Sequence, residues 1–301
     1  MIVVCGEALM DVVRGPDGSE RATPGGGPFN TARALARLGV PAAFLGHLSD
    51  DGHGRELARL LTSDGASLEL ATVGHEPTTI AIADVDSSGA ARFRFLFEGT
   101  SAPQLLPEML PARLAANVTA LHIGTLGLVF EPMASTLSAL VRREHGGRCV
   151  MLDPNIRPGV IPDDDYRSRL HEMIAMSTIV KGSEADFAWL YPDVGYEDAA
   201  HRLLAGGVRL AAVTLGARGA FAAHRDFSAT VEAPAVEVVD TIGAGDAFGA
   251  ALLAWLHDRD RLKPDLTLER AELHAALEFA CRAAAITCSR PGADPPWKGE
   301  V

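Results

Sequence analysis

The run DTIGAGDAFGAALLAWL, Asp240 to Leu256, sets a loop of small residues against the start of an apolar helix. Its first ten residues hold three glycines and two alanines, so little side chain surrounds Asp246. Such a loop presents unpaired backbone amides at the positive end of a helix dipole, which is a cradle for phosphate. A carboxylate there is a poor neighbour for phosphate unless it has a task, and taking a proton from an attacking hydroxyl is such a task. A purely local explanation competes: Asp is a favoured helix cap and Gly a favoured loop residue. The pattern alone leaves both open.

Reading outward, short apolar runs recur upstream of this loop. They are ALHIG (Ala120 to Gly124), RCVMLDPN (Arg148 to Asn155), STIVKG (Ser177 to Gly182) and LAAVTLG (Leu210 to Gly216), with helical stretches between them. Strands alternating with helices predict an α/β protein with a mainly parallel sheet flanked by helices. Ligands of such sheets sit beyond the C-terminal strand ends. The polar or small residues ending these runs are therefore the ones to examine: Asp153, Asn155, Arg157, Lys181, Thr214 and Gly216.

The first third extends the pattern. MIVVCG (Met1 to Gly6) reads as a buried strand, LMDVV follows it, and GPDGSE is rich in turn residues. NTARALARL, Asn30 to Leu38, reads as a helix closed by Gly39 and Pro41, and AAFLGHL as the next strand. A second helix is expected over Asp50 to Leu61, with Asp50 or Asp51 near its cap.

TTIAIAD (Thr78 to Asp84) and ARFRFLF (Ala91 to Phe97) then read as neighbouring strands joined by the turn VDSSGA, with Phe93, Phe95 and Phe97 on one face. A hairpin among βα units predicts a small separate sheet, a lid formed by about residues 9–23 and 76–100 on a single 1–301 domain. Its aromatic face and open edge also predict a homodimer formed through the lid.

Composition narrows the function classes. Of 301 residues, 48% are hydrophobic and 22% charged, which is ordinary for a folded globular chain. A net charge of −12 argues against a nucleic-acid partner, which needs a basic face. It does not exclude a phosphate ligand held by local amides. The four cysteines form no CxxC pair and read as buried thiols in a reducing compartment. Glu7 comes too early for a signal peptide, and no apolar run is long enough to span a bilayer, so a cytoplasmic protein without a membrane partner is expected. GxxxxGK[ST], GxGxxG after the first strand, HExxH and GxSxG are all absent.

Two long motifs carry a family resemblance. DTIGAGDAFGAALLAWL resembles the C-terminal signature of the PfkB (ribokinase-like) carbohydrate kinases, and GGGPFNTARALARLG, Gly25 to Gly39, resembles their N-terminal signature. GEALMD, DPNIRP and VTLGARGA extend the likeness over nearly the whole chain, toward the fructokinase-like and 2-keto-3-deoxygluconate kinase branch.

The resemblance implies a ribokinase-like fold and ATP-dependent phosphorylation of a small sugar. Asp246 would be the base, and the amides of Gly243, Ala244, Gly245 and Asp246 the anion hole. Asp11, Gly26, Gly27, Asn30, Phe97 and Arg157 would meet the sugar, and Lys181, Thr214, Gly216 and Gly219 the ATP. Mg²⁺ would lie near Asp186 or Glu184, and a monovalent cation such as K⁺ near Asp240 and Gly292.

Three departures matter. Ile242 stands where the family usually has Thr or another small residue, which bears on the cation. The NxxE motif linked to Mg²⁺ appears as Ser183, Glu184, Ala185, Asp186. Glu98 stands where the keto-acid kinases place an Arg, and it would repel an anionic substrate, so a neutral sugar, fructose first, is expected. A keto-deoxygluconate kinase, a nucleoside kinase using Phe29, Phe95 or Phe97 to stack a base, and a non-catalytic sugar-binding regulator are the alternatives.

Overall fold

The chain runs β1 (Ile2–Cys5), β2 (Leu9–Arg14), β3 (Glu20–Gly25), α1 (Gly27–Arg37), β4 (Ala42–Leu45), β5 (His47–Ser49), α2 (Gly52–Ser63), β6 (Thr72–Gly74), β7 (Ile80–Val85) and β8 (Ala91–Leu96). It continues β9 (Ala120–Gly124), α3 (Met133–Glu144), β10 (Cys149–Asp153), α4 (Asp164–Ala175), β11 (Ile179–Ser183), α5 (Glu184–Leu190) and α6 (Tyr196–Ala205). Last come β12 (Leu210–Thr214), β13 (Ala220–His224), β14 (Phe227–Val231), α7 (Ala244–Asp258) and α8 (Arg270–Cys288). This computed structural model describes residues 1–14, 19–85, 91–157, 164–225 and 227–301.

Eight strands form the main sheet in the order β14-β13-β12-β11-β10-β9-β1-β4. Pairing is parallel from β4 through β12, and β13 and β14 add an antiparallel edge. Both faces are covered, which is why the strands read as continuous apolar runs instead of alternating ones. Along β10, Cys149 and Met151 join one buried cluster with α1, α7 and α8, while Val150 and Leu152 join another with α3, α5 and α6. β4 follows β1 in the main sheet on one side, whereas β9 pairs with β1 on the other. Strand order therefore reverses at β1, and the crevice beyond its C-terminal end is where this architecture admits a ligand.

The expected strands are found, with informative shifts. AAFLGHL is not one strand: β4 lies in the main sheet, and β5 pairs with β6 elsewhere, the chain turning at Gly46 between them. The first helix starts at Gly27, three residues before the expected Asn30, because Gly26 caps it with φ 107° and Pro28 suits its first turn. Asp51, not Asp50, caps α2, its side chain accepting from the Gly54 amide at 2.7 Å. Residues 86–90 of the VDSSGA turn, and the side chains of Phe93 and Phe95, lie outside the described residues.

A second sheet has the order β3-β2-β7-β8, with β7 and β8 antiparallel as expected. Its edge strand β3, ERATPG, carries no apolar alternation and pairs with β2 by register from Leu9↔Gly25 to Arg14↔Glu20. α7 is buried from Asp246 to Leu256 and packs on α8, the behaviour of a helix that is apolar all round.

Candidate active site

The two signature segments meet at the reversal point. α7 begins at Ala244, capped by Gly243 with φ 77° and without any side-chain hydrogen bond. A Cβ at Gly243 would sit 2.6 Å from the Ala293 Cβ, so both backbone angle and space demand glycine there. Asp246 is therefore not the cap but the third helical residue. First-turn amides of a helix have no intrahelical acceptor. With no side chain capping them, those of Gly245 and Asp246 are disposed to hold an anion.

Asp246 is 9% exposed, and one of its oxygens accepts a 2.9 Å hydrogen bond from the Asn30 side chain. Asn30 thus lies one turn into α1 and is no helix cap either; its side chain crosses to Asp246. Burial, and then the neighbouring Asp153 carboxylate, push the Asp246 carboxyl up to about 7. Lys181, the Asn30 bond and Arg157 pull the other way. A carboxylate near pH 7 in proton affinity is matched to accepting a proton from a hydroxyl at neutral pH.

Beneath the loop, Lys181 donates to Asp153 at 2.7 Å, with both side chains almost fully buried. A Cβ at Gly245 would lie 3.2 Å from the Lys181 ammonium, so Lys181 sits under the anion cradle. That differs from its expected place in an ATP subsite with Thr214, Gly216 and Gly219. Those three lie together at the C-terminal end of β12, where Gly216 (φ 61°) opens a short turn and Gly219 (φ 93°) closes it. A Cβ at Gly219 would strike the Val231 carbonyl at 1.9 Å. The ammonium nevertheless favours ionised Asp246 electrostatically. His122, on β9, is buried and held neutral, with its protonation pushed down to about 3 by burial and by Lys181.

The remaining sugar candidates come from β2, from the start of α1 and from the residue after β8. Burial raises Asp11 to about 6, while Arg157 opposes the shift from nearby. A Cβ at Gly25 would overlap an Asp11 oxygen at 2.0 Å, so glycine makes room for that carboxylate. Gly27 approaches both the Thr125 hydroxyl and Asp246. Phe97 stacks on Phe130 with ring centres 4.1 Å apart and an interplanar angle of 17°, which joins the end of β8 to the segment after β9.

The carboxylates expected at Mg²⁺ have other work. One Asp186 oxygen accepts from the Ser183 amide and hydroxyl, both at 2.7 Å, and the other from the Ile156 amide at 2.7 Å. Ser183 and Asp186 thus form a capping box for α5, so Asp186 is corrected from metal carboxylate to helix cap. Glu184 is exposed and paired with Arg218. Asp240 accepts from Ile242 at 3.0 Å and Gly292 at 2.9 Å, and so ties the signature loop to Gly292 instead of offering a bare carboxylate. Among the described residues no cluster of three or more metal-ligating side chains occurs.

One central residue escaped the sequence reading as a site residue. Glu7, 1% exposed, follows β1 and accepts from the amides of Gly27 at 3.3 Å and Gly127 at 3.0 Å. Burial pushes its carboxyl up to about 8, against those backbone bonds. Its only signal in sequence was a lone acid directly after an apolar strand.

Comparison with known proteins finds relatives along nearly the whole chain. The model of the pfkB family carbohydrate kinases matches residues 1–298. The chain is 37% identical over 287 residues to a fructokinase of Rhizobium leguminosarum bv. trifolii, covering 94% of this chain and 86% of that one. Among solved structures it is similar to the fructokinase of Vibrio cholerae O395 in its fructose, ADP and calcium ion bound form (TM-score 0.83, 25% identity, 97% of this chain and 94% of that one). It is also similar to the aminoimidazole riboside kinase of Salmonella enterica complexed with aminoimidazole riboside and an ATP analog (TM-score 0.83, 27% identity, 97% and 94% covered).

Proposed function

Since the chain belongs to the pfkB family of carbohydrate kinases, we propose that it transfers phosphate from ATP to a hydroxyl of fructose, with Asp246 as the base. The observation that carries this reading is the buried Asp246 carboxylate, held by Asn30 on the first turn of a helix that no side chain caps. Asp246 accepts the proton as the sugar oxygen forms its bond to phosphorus. The amides at the start of α7 then meet the charge that develops on the phosphoryl oxygens. ATP with Mg²⁺ supplies the phosphoryl group and neutralises part of its charge. Asp240, bound to Gly292, shapes the loop beside which a monovalent cation such as K⁺ would add positive charge. The four-stranded sheet acts as the lid over the sugar. The cytoplasm, where ATP and reduced thiols coexist, is its working place.

Glu98 is exposed just past β8 and disfavours an anionic substrate. Phe97 already spends its ring on Phe130, which leaves it poorly placed to stack a nucleobase. In an ADP-release assay with Mg²⁺, with and without K⁺, fructose is expected to show the highest kcat/KM among neutral sugars, keto-deoxygluconate and nucleosides. Faster turnover of the keto acid or of a nucleoside than of every neutral sugar would overturn this substrate assignment.

The lid leaves Val13 43% and Leu96 47% exposed, which supports association of two copies through it. Light scattering should accordingly give twice the 31.7 kDa chain mass, and a monomer at assay concentration refutes the dimer.

A further inference from the structure

Thr125, the residue directly after β9, has φ 54°. Glycine and asparagine tolerate that backbone region, but a β-branched residue there is an outlier. Strain of this kind collects at functional sites, where the surrounding structure enforces it. A second non-glycine outlier, Asn155 with φ 40°, follows the adjacent strand β10. The two side chains meet: the Asn155 amide donates to the Thr125 hydroxyl oxygen at 3.5 Å. That bond uses an acceptor lone pair of the hydroxyl, which keeps its own proton to donate.

The hydroxyl also borders the reaction centre. A Cβ built on Gly27 would stand 2.3 Å from Thr125 Oγ1 and 3.4 Å from an Asp246 oxygen, so both atoms edge one small space. Glu7 holds that space in shape from below. Its two oxygens accept from Gly27, the first residue of α1, and from Gly127, two residues past Thr125. One buried carboxyl thereby pins the helix carrying Asn30 against the turn carrying Thr125.

We propose that Thr125 is a further sugar-contacting, specificity-determining residue, its hydroxyl donating to a sugar hydroxyl beside the one phosphorylated. This rests on the sugar-kinase reading above.

The test compares wild type with Thr125→Val, Thr125→Ser and Thr125→Gly. It measures fructose binding by calorimetry, KM for fructose and ATP, and a panel of fructose analogues each lacking one hydroxyl. Thr125→Val is expected to weaken fructose binding and raise its KM about tenfold, the scale of one lost hydrogen bond in a site built for it, while the KM for ATP changes less than twofold. Thr125→Ser should retain affinity within about threefold, since it restores the hydroxyl. Wild type should reject one deoxy analogue about tenfold, and Thr125→Val should not distinguish that analogue from fructose. Thr125→Gly relieves the strain, so it should melt higher than wild type yet show the same loss of sugar affinity.

Wild-type affinity and wild-type analogue discrimination in the valine or glycine variant would overturn the proposal, even with turnover intact. If wild type binds fructose without releasing ADP, the kinase reading fails and calorimetry still judges Thr125. If wild type binds no sugar of the panel, both fall.

Discussion

Asp246→Asn is expected to lower kcat for sugar phosphorylation by about 10²–10⁴-fold, the usual scale of general-base catalysis. The amide keeps the size of the carboxylate and can still bond to Asn30, so the fructose KM should change by less than about threefold. The loss then lies in the transition state and not in ground-state binding. The wild-type rate should itself depend on pH. With Asp246 pushed up to about 7, the base is lost to protonation as pH falls through that value, and kcat/KM declines on the acid side. The residual rate of Asp246→Asn should lack this limb. A variant turning over within threefold of wild type, or one with the same acid limb, would remove Asp246 from the role of base.

The same residue makes an opposite prediction for stability. Its carboxyl holds a proton more tightly folded than unfolded, since 3.8 is the ordinary value for Asp. The folded chain therefore binds more protons between about pH 4 and 7, and this group's contribution to stability falls as pH rises across that window. At pH 8 the buried carboxylate is mostly ionised and Asn is not, so Asp246→Asn should melt higher than wild type there. A lower Tm at pH 8 would contradict the idea that burial of this charge is tolerated for catalysis.

The second large effect concerns Lys181. Its ion pair with Asp153 is buried on both sides, so Lys181→Met leaves a carboxylate without its partner in the protein interior. Breaking a buried pair from one side costs about 3–5 kcal/mol, a large share of the 5–15 kcal/mol by which folded domains are stable. Removing both charges together costs far less, because the penalty comes from the orphaned group and not from the missing attraction. Lys181→Met with Asp153→Asn should accordingly recover most of the stability lost by Lys181→Met alone. Urea unfolding of the two single variants and the double variant measures this. A Lys181→Met protein within 1 kcal/mol of wild type, or a double variant no better than the single, would show that the pair is not the structural keystone beneath the anion cradle.

The loop around Asp246 was legible without any structure, because small residues that open the backbone and an apolar helix directly after them are local signals; that Asp246 is not the helix cap came only from the fold, which gives that place to Gly243. The central strands were legible for the same reason, as Ala120–Gly124 shows, since a strand covered on both faces writes itself as an unbroken apolar run. β3, β13 and β14 were not read as strands. β3 and β14 lie at sheet edges, where one side lacks a neighbour and the residues need not be uniformly apolar.

What the chain alone determined about this protein is therefore its layered α/β plan and the loop of small residues that opens an apolar helix around Asp246. Each rests on neighbours within a few residues. Folding alone decided who stands beside Asp246. Asn30 lies 216 positions from Asp246, Glu7 120 positions from Gly127, and Lys181 28 positions from Asp153. No periodicity encodes such pairs, because the parallel sheet brings strand ends together only after long crossovers. Folding also occupied the second Asp186 oxygen, through the Ile156 amide arriving from beyond β10, whereas the capping box that Asp186 makes with Ser183 is local. The proton affinity of Asp246 belongs to the same class. It is set by burial and by Asp153, both properties of the assembled interior that the residue's own sequence neighbours do not supply.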